Sequence, residues 1–442
     1  MIRQNFNADW TVEKGDGNSR MNSFLGNTQT KTVHLPYDAM IHEARTPDTK
    51  NGAQTGFYPG GEYIFQKHFT APQAGQEKPV SLVFEGVYQT ALVYLNGWLL
   101  TRNVNGYAEF TVEAGPYLKY GADNLLKVIA DNSLEPNSRW YTGSGIYRPV
   151  RLLVGNKVYL PQDTVRITTR EVGEGFALLD VTAQVQSAST VTERVTLQQT
   201  ICREGTAVLT DRQNLLLQPG ESRTVSFRYC VDSPALWNPE SPNLYTSIMQ
   251  VLEGEEELDR EETSFGIRTL SIDAAHGVRI NGQTVKLRGA CIHHDNGILG
   301  AATLPDAEER RIRQLKEAGF NAIRSSHHPA GRALLDACDR YGVLVMDELS
   351  DVWNLRKNPY DYALYFEQDW KPTIQKMVAK DYNHPSVILY CVGNEISEAG
   401  SESGAETNRW LCNTFRELDP TRYTTNALNG LMAAGYRLRG VT

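Results

Sequence analysis

The amino-acid sequence has no stretch apolar enough to cross a membrane, and its first ten residues, MIRQNFNADW, lack the apolar segment of a secretory signal peptide. Its six cysteines form no CxxC pair, so neither a disulfide-rich secreted domain nor a zinc module is indicated. No P-loop, no GxGxxG motif after a strand and no GxSxG motif is present. These absences predict a cytoplasmic protein without membrane contact, and they argue against nucleotide and acyl-transfer chemistry.

Charge and length narrow the class further. The chain carries 44 Lys and Arg against 52 Asp and Glu, a formal net charge of -8, and it has no cluster of basic residues. A nucleic-acid partner is therefore not expected, because nucleic acids select basic surfaces. The 442 residues are enough for several domains, since single hydrophobic cores stop growing well below that length.

The residue pattern changes once, near position 275. Before that point, short runs of alternating apolar and polar residues are bounded by Gly, Asn, Asp or Pro, which is typical of β-sandwiches. We assign residues 1–160 to a first sandwich and residues 161–275 to a second one, of immunoglobulin-like size. The segment YLNG, which ends at Gly97, predicts a hairpin turn.

From residue 276 to 442, apolar strands alternate with amphipathic helices, a pattern that predicts the parallel sheet of a TIM barrel. One helix is expected to start with Asp306 as its N-cap and Glu309 as the capping-box partner. Polar residues follow directly after the strands, where a TIM barrel places its active site. They are His327, Glu348, Asp351, Asn394 and Glu395.

Glu395 is the strongest catalytic candidate, because it ends the apolar segment SVILYCVGNE. Partial burial at a strand end raises the pKa of a carboxyl group and suits a general acid. Asn394 beside it is an uncharged group suited to orienting a hydroxyl. The alternative is a structural carboxylate that caps the next helix or pairs with an arginine.

Four histidines occur as two adjacent pairs at successive strand ends, His293 and His294 in CIHHDNG and His327 and His328 in SSHHPA. A zinc site is one interpretation. Adjacent side chains on a strand point to opposite faces, however, so His293 and His294 are not expected to share an ion, and recognition of a hydroxylated ligand is favoured. Three loop aromatics are candidates for stacking on a sugar or for sealing a domain interface: Trp140, Tyr141 and Trp353.

Five segments, in order along the chain, together resemble glycoside hydrolase family 2, which contains β-galactosidases, β-glucuronidases and β-mannosidases. They are SRWYTGSGIYRPV, VKLRGACIHHDNG, GFNAIRSSHHPA, DRYGVLVMDE and NHPSVILYCVGNE. The resemblance spans nearly the whole chain and implies a multidomain β then α/β fold: a jelly-roll-like β-sandwich, an immunoglobulin-like β-sandwich and a partial TIM barrel. It implies a retaining exo-β-glycosidase, with a terminal β-galactoside as the expected carbohydrate substrate and a β-glucuronide as the alternative.

The resemblance also implies roles for individual residues. Glu395 is implied as the general acid/base, and Asn394 as the contact to the sugar 2-hydroxyl. Further implied substrate contacts come from the barrel and from a loop of the first sandwich: His293, His294, His327, Asp351, Trp353, Asp131, Asn132 and Arg139. No cofactor is expected, and the magnesium site of some members is not expected either, because the segment DELSDVWN does not match its ligands.

The nucleophile of the family lies on a later barrel strand than Glu395. The region from Val278 onward holds about 165 residues, against about 250 for a TIM barrel, so we expect the nucleophile beyond Thr442 and expect the chain alone to be inactive. An open half-barrel exposes strand edges and apolar surface, which predicts a homo-oligomer or a need for the missing part. A different class, a carbohydrate-binding or barrel-completing subunit without turnover, stays open.

Overall fold

The computed structural model describes residues 1–15, 30–76 and 78–429. Two β-sandwiches are followed by a parallel sheet whose strands alternate with helices, as the sequence pattern predicted. Positions 430–442 of the predicted third region lie outside the described ranges. No helix in the described part of the chain is long and apolar enough to span a membrane.

The first sandwich packs a four-stranded sheet against a six-stranded sheet around a core that contains Trp10, Phe65 and Phe84. The four-stranded sheet contains, in spatial order, Ile2–Asn5, Val150–Val154, Val80–Phe84 and Phe110–Glu113. The six-stranded sheet contains Lys31–Val33, Trp10–Gly15, Gly61–Thr70, Asp123–Asn132, Thr90–Leu95 and Trp98–Asn103. The predicted hairpin turn is confirmed, with Asn96 and Gly97 both at positive φ between the last two strands.

The second sandwich has two four-stranded antiparallel sheets. In one, Phe176–Ser187 is central and pairs with Val158–Tyr159, Arg166–Gly173 and Ser222–Asp232. The other contains, in order, Thr206–Leu217, Glu193–Arg203, Tyr245–Glu253 and Glu256–Phe265. Buried and half-buried residues alternate strictly along Phe176–Ser187, which explains why the period-2 sequence pattern identified this strand. A small sheet of Leu270–Asp273, Gly277–Ile280 and Gln283–Thr284 leads to the barrel.

The barrel region contributes five parallel strands in sequence order: Gly289–Ile292, Ala322–Ser325, Leu344–Glu348, Val387–Asn394 and Tyr423–Ala427. Its α-helices are Pro305–Glu317, Arg332–Tyr341, Phe366–Asp381 and Glu402–Leu418. Short 3-10 turns occur at Met40–His42, Gly52–Thr55, Gln73–Gly75, Gly115–Tyr117, Gly297–Leu299 and Tyr362–Leu364. The carboxyl ends of the parallel strands lie at one edge of the sheet, so the polar residues that follow them share one face.

The expected capping box at Asp306 is wrong. The helix Pro305–Glu317 begins two residues earlier than expected, with Leu304 at the N-cap and no side chain bonding to the first turn. Proline at the first position has a backbone angle already suited to a helix and no N–H that needs a partner. Glu309 instead accepts hydrogen bonds from Arg340 and Tyr341, on the next helix.

The first sandwich is joined to the barrel close to the strand ends. Tyr107 stacks on His328 with ring centroids 3.8 Å apart, and Arg148 donates to the Pro329 carbonyl at 3.0 Å. The second sandwich contacts the opposite end of the strands, where Arg268 donates to the carbonyls of Pro385 and Val387. The site face of the barrel is therefore bordered by the first sandwich and not by the second.

Candidate active site

Glu395 follows the end of the fourth barrel strand and has a left-handed backbone, with φ of 44°. Non-glycine residues rarely adopt this conformation, and such strain concentrates at functional sites. The Glu395 N–H donates to the Ala427 carbonyl of the fifth strand at 2.7 Å, which holds the residue in place. Its side chain is 44% exposed, so the carboxyl group can meet a ligand.

Two residues before Glu395, position 393 must be glycine for a steric reason. A Cβ atom there would lie 2.6 Å from Ile396 and 3.0 Å from the indole nitrogen of Trp353. Real Cβ contacts are essentially never that close to a side-chain carbon, so a larger residue would displace the turn that carries Glu395. The glycine in the Gly-Asn-Glu segment therefore permits the close packing under the site.

Asn394 is buried, and both ends of its amide are held. Nδ2 donates to Asp351 Oδ1 at 2.7 Å, and Oδ1 accepts from Arg324 Nη2 at 2.8 Å. These two partners determine which end of the amide is the donor. Lys357 donates to the Asn394 backbone carbonyl at 2.7 Å, which adds a third restraint.

Asp351 links the barrel to the first sandwich. Arg139 donates to its two carboxylate oxygens from Nε at 3.1 Å and from Nη2 at 2.6 Å, and Lys357 donates to Oδ1 at 3.0 Å. Burial raises the pKa of Asp351, but the hydrogen bonds from Arg139 and Asn394 and the charge of Lys357 outweigh it, so the pKa lies below its ordinary value. Arg139 Nη1 also lies 3.9 Å from Glu395 Oε2, so this arginine joins the two carboxylates.

Glu348 is completely buried under the same face. Its Oε1 contacts His327 Nδ1 at 2.8 Å, and its Oε2 accepts from Arg324 Nε at 2.6 Å. Since Arg324 also holds Asn394, one connected network runs from His327 through Glu348 and Arg324 to Asn394. A fully buried carboxylate that is paired with an arginine is not available to attack a substrate.

The histidine pairs separate as the sequence predicted. His293 faces His327, with ring centroids 5.3 Å apart, while His294 faces the other way, toward His328. His294 Nε2 lies 2.9 Å from the Thr142 carbonyl and therefore carries a proton, which leaves Nδ1 to accept from His328 Nε2 at 3.1 Å. Burial lowers the pKa of His294 to about 3, so this second pair is neutral and belongs to the domain interface.

Family models match three successive parts of the chain. Residues 10–162 match the galactose-binding domain-like model of glycosyl hydrolase 2, residues 158–268 match glycosyl hydrolases family 2, and residues 274–434 match the TIM barrel domain of that family. The chain belongs to glycosyl hydrolase family 2.

Individual members of family 2 are similar over nearly the whole chain. Beta-galactosidase BoGH2A of Bacteroides ovatus is 37% identical over 406 residues, which are 92% of this chain and 48% of that protein. A solved family 2 structure from Bacteroides cellulosilyticus has a TM-score of 0.94 and 35% identity, covering 99% of this chain and 57% of that one. A Bacteroides uniformis β-glucuronidase structure has a TM-score of 0.85 and 28% identity, covering 100% of this chain and 54% of that one. The chain thus spans about half the length of the relatives it matches.

Three of the family 2 residues expected to contact sugar have their polar atoms bound to other groups of the protein, away from the site. Trp353 has no exposed surface, and its indole N–H donates to the Val392 carbonyl at 2.8 Å inside the barrel core. Asn132 is 1% exposed and donates to Ser144 Oγ at 2.7 Å, so it holds the loop together. His294 is enclosed with His328 at the interface. None of these side chains presents a polar group to the site.

The other expected residues divide into two groups. The structure brings six of them to the same face of the family 2 barrel: Glu395, Asn394, Asp351, Arg139, His327 and His293. Asp131 is different, because its carboxylate accepts from the backbone and side chain of Ser133 in a local turn. Its sugar contact therefore has no geometric support from the described residues.

Sequence reasoning missed two cations of the site. Arg324 is the one charged residue of the apolar segment FNAIRSS, and a lone charge in a buried strand was a usable signal. Lys357 lies in a loop, and nothing in its surroundings in the sequence distinguishes it. Trp140, which was considered only as a loop aromatic, packs against His293 and His327 at 5.5 and 5.3 Å between ring centroids.

A small cavity borders the site. It lies between the first sandwich and the barrel, has a volume of about 50 Å³, and is lined by residues that include Tyr107, Trp140 and His327. That volume accommodates one or a few water molecules. Glu395 itself is exposed on the open face of the barrel.

Potential metal ligands come together elsewhere. Within the described ranges, three such ligand atoms lie within 4.8 Å of one another at Asp336, Asp339 and His384. His384 precedes the fourth strand, so this cluster lies at the end of the barrel opposite Glu395. His384 Nδ1 and the Ser386 N–H already contact the Asp339 carboxylate, at 2.5 and 3.1 Å, so a hydrogen-bonded pair accounts for the cluster.

Proposed function

We propose that the chain forms the sugar-binding and acid/base part of a retaining exo-β-glycosidase that acts on terminal β-galactosides. The observation that carries the proposal is the position of Glu395. It is the partly exposed carboxyl group at a strained strand end, next to an amide, Asn394, whose orientation is fixed on both sides. Glu395 would protonate the leaving oxygen and then activate water for the second step.

The neighbouring groups are suited to a polyhydroxylated ring. Asn394 is proposed to contact the 2-hydroxyl, and His327 and His293 to contact other hydroxyls, with Trp140 packed beside both rings. Arg139 and Asp351 border the same face. Aromatic and amide groups together are the usual combination for binding a sugar, which has both apolar faces and hydroxyl edges.

A neutral sugar is preferred to a glucuronide on grounds of charge. Among the residues that the structure describes around Glu395, three cations approach the site, and each is paired with a buried carboxylate. Arg139 and Lys357 bind Asp351, and Arg324 binds Glu348. A sugar carboxylate would therefore meet no unpaired cation here. β-Glucuronidase stays the alternative, because a solved relative of this fold bears that name.

A retaining enzyme needs a second carboxyl group about 5 to 5.5 Å from the first. Glu348 is buried and bound to Arg324, and Asp351 is bound to Arg139, Lys357 and Asn394, so neither is free to act as the nucleophile. We propose that the nucleophile comes from outside this chain, since residues 430–442 add no Asp or Glu. Within the described residues, the end strands Gly289–Ile292 and Tyr423–Ala427 each have one strand neighbour, which supports completion of the barrel by further chain or by another copy. A cytoplasmic location remains part of the proposal.

The test is Glu395→Gln in a version of the protein that hydrolyses nitrophenyl β-galactoside. Turnover of substrates with poor leaving groups, such as methyl β-galactoside, should fall by about 10²–10⁴-fold. The first step on dinitrophenyl β-galactoside should be nearly unchanged, because that leaving group needs little protonation. Azide should restore turnover of the activated substrate, since an anionic nucleophile needs no general base.

The matched control is Glu402→Gln, which removes an exposed carboxylate seven positions later. It should leave both substrates unaffected. Equal, mild losses on both substrates for Glu395→Gln would exclude Glu395 as the acid. Robust turnover by the 442-residue chain alone would contradict the external nucleophile, and sugar binding without any turnover would favour a binding subunit.

A further inference from the structure

The third barrel strand ends in two adjacent carboxyl residues, Asp347 and Glu348, and both are completely buried. Successive side chains on a strand point to opposite faces, so the two carboxyl groups contact different parts of the protein. Glu348 meets Arg324 of the neighbouring strand, whereas Asp347 lies near Lys380 of the helix Phe366–Asp381. Burying two carboxyl groups side by side is costly, which indicates that each holds something in place.

Glu348 holds two residues of the proposed sugar site. Its Oε1 contacts His327 Nδ1 at 2.8 Å, and its Oε2 is bound by Arg324 through Nε at 2.6 Å and Nη2 at 2.5 Å. The same Arg324 Nη2 donates to Asn394 Oδ1 at 2.8 Å. Removing the carboxylate would therefore release the His327 ring and loosen Arg324, one of the three partners that hold Asn394.

Asp347 holds the far end of the segment that carries His327. Its Oδ1 accepts the backbone N–H of Ala330 at 2.9 Å and that of Glu348 at 3.0 Å. Burial, together with repulsion from Asp381, raises the pKa of Asp347 well above its ordinary value. The segment from His327 to Ala330 is thus attached to the strand at both of its ends.

We propose that Glu348 is a positioning residue of the sugar site. It holds a proton of the His327 ring on Nδ1, so that the ring's other nitrogen, Nε2, is the one turned to a sugar hydroxyl. Asp347 anchors the same segment from the other face of the strand. His327 Nδ1 lies 2.8 Å from Glu348 Oε1 and 3.4 Å from Arg324 Nη2, which can only donate. A carboxylate paired with arginine can only accept, so the shorter of the two contacts places a proton on Nδ1. The part that concerns the sugar rests on the proposed function. The part that concerns the proton rests on the geometry alone.

The proton position is tested by nitrogen NMR on the 442-residue chain labelled with ¹⁵N-histidine. The His327 signals are assigned by their loss in His327→Gln. The unsubstituted chain should show His327 protonated on Nδ1. In Glu348→Gln, the amide can donate as well as accept, so the single form should give way to a mixture or to the Nε2-protonated form.

The matched control is Asp419→Asn, which breaks a buried carboxylate–arginine pair with Arg422 at the opposite end of the barrel. It should leave the His327 signals unchanged. Retention of the Nδ1-protonated form in Glu348→Gln would overturn the proposal. If Glu348→Gln does not fold, Glu348→Asp replaces it, because the shorter carboxylate cannot reach both His327 and Arg324. Loss of the Nδ1-protonated form in that variant supports the proposal, and its retention overturns it.

The effect on the sugar is measured in a version of the protein that hydrolyses nitrophenyl β-galactoside. Glu348→Gln should lower kcat/KM by about 10- to 100-fold, as the loss of orienting partners does for metal-bound histidines. Asp419→Asn should leave kcat/KM unchanged, and an unchanged kcat/KM in Glu348→Gln would overturn the positioning role. If no version of the protein acts on galactosides, the proposed function fails, while the NMR result still decides the role of Glu348 toward His327.

Discussion

Replacement of Arg139 by Gln removes the guanidinium group that joins the first sandwich to Asp351 of the barrel, close to Glu395. Arg139 makes two hydrogen bonds to Asp351, at 3.1 and 2.6 Å, and the side chains of the two residues are 34% and 9% exposed. A hydrogen bond to a charged group contributes about 1.5–3 kcal/mol. Asp351 keeps Lys357 and Asn394 after the change, and Arg139 is partly in water, so we expect the two bonds together to be worth about 2 kcal/mol.

The assay is a double-mutant cycle with Arg139→Gln, Asp351→Asn and the combination. Urea unfolding is followed by tryptophan fluorescence, for which the adjacent Trp140 is a local reporter. The coupling free energy of the cycle isolates the pair from the other effects of each change. The pair Arg228 and Asp180 is a matched control, since its two bonds of 2.7 and 3.2 Å have similar geometry on an exposed surface. Its coupling should be near zero.

The coupling should also depend on pH. The pKa of Asp351 is lowered in the folded protein, so its contribution is present above the ordinary Asp value of 3.8 and is lost as the pH falls through the folded value. A coupling at neutral pH below about 0.5 kcal/mol, or equal to that of the exposed control pair, would refute the view that Arg139 joins the two domains.

Two further changes test the buried groups. Asp347→Asn should become increasingly stable relative to the unsubstituted chain as the pH rises from about 4 toward 8. The pKa of Asp347 is raised in the folded protein, so burying its carboxyl group becomes more costly as the pH climbs above the ordinary value of 3.8. Urea midpoints at several pH values check this, and a stability difference that is constant with pH would contradict it. Trp353→Phe should lower the free energy of unfolding by about 1–3 kcal/mol, because the Val392 carbonyl loses its donor inside the core. If the variant had unchanged stability but bound galactosides more weakly, Trp353 would instead be a sugar contact.

Much of the architecture was predictable because it rests on local periodicity. The alternation along Phe176–Ser187 and the run from Val387 to Asn394 each report one strand and its buried face, and neither depends on distant residues. The parallel order of the barrel strands follows from helices placed between them. The place of Glu395 at the site face follows from the same local rule, since it directly succeeds a buried strand.

The start of the helix at Pro305 shows where local rules compete. Asp306 and Glu309 satisfied the spacing of a capping box, but the proline before them took the first helical position. Glu309 was then free to bind Arg340 and Tyr341, which are more than thirty positions away. A local pattern predicts a local bond only when no partner from another element takes its place.

The sequence by itself determined the three successive domains, their order, and the strand end that carries Glu395, because period-2 and helical patterns depend only on neighbouring residues. Only the tertiary structure decided which polar side chains converge there. Asn132 ends the strand Asp123–Asn132, and Arg139 lies in the loop that follows it. The first is enclosed, whereas the second reaches Asp351, 212 positions later in the chain. Trp353 follows Asp351 by two residues and turns into the core instead. Loop side chains have no repeating pattern, so their burial depends on how the domains pack against one another. That packing cannot be read from the neighbouring residues in the sequence.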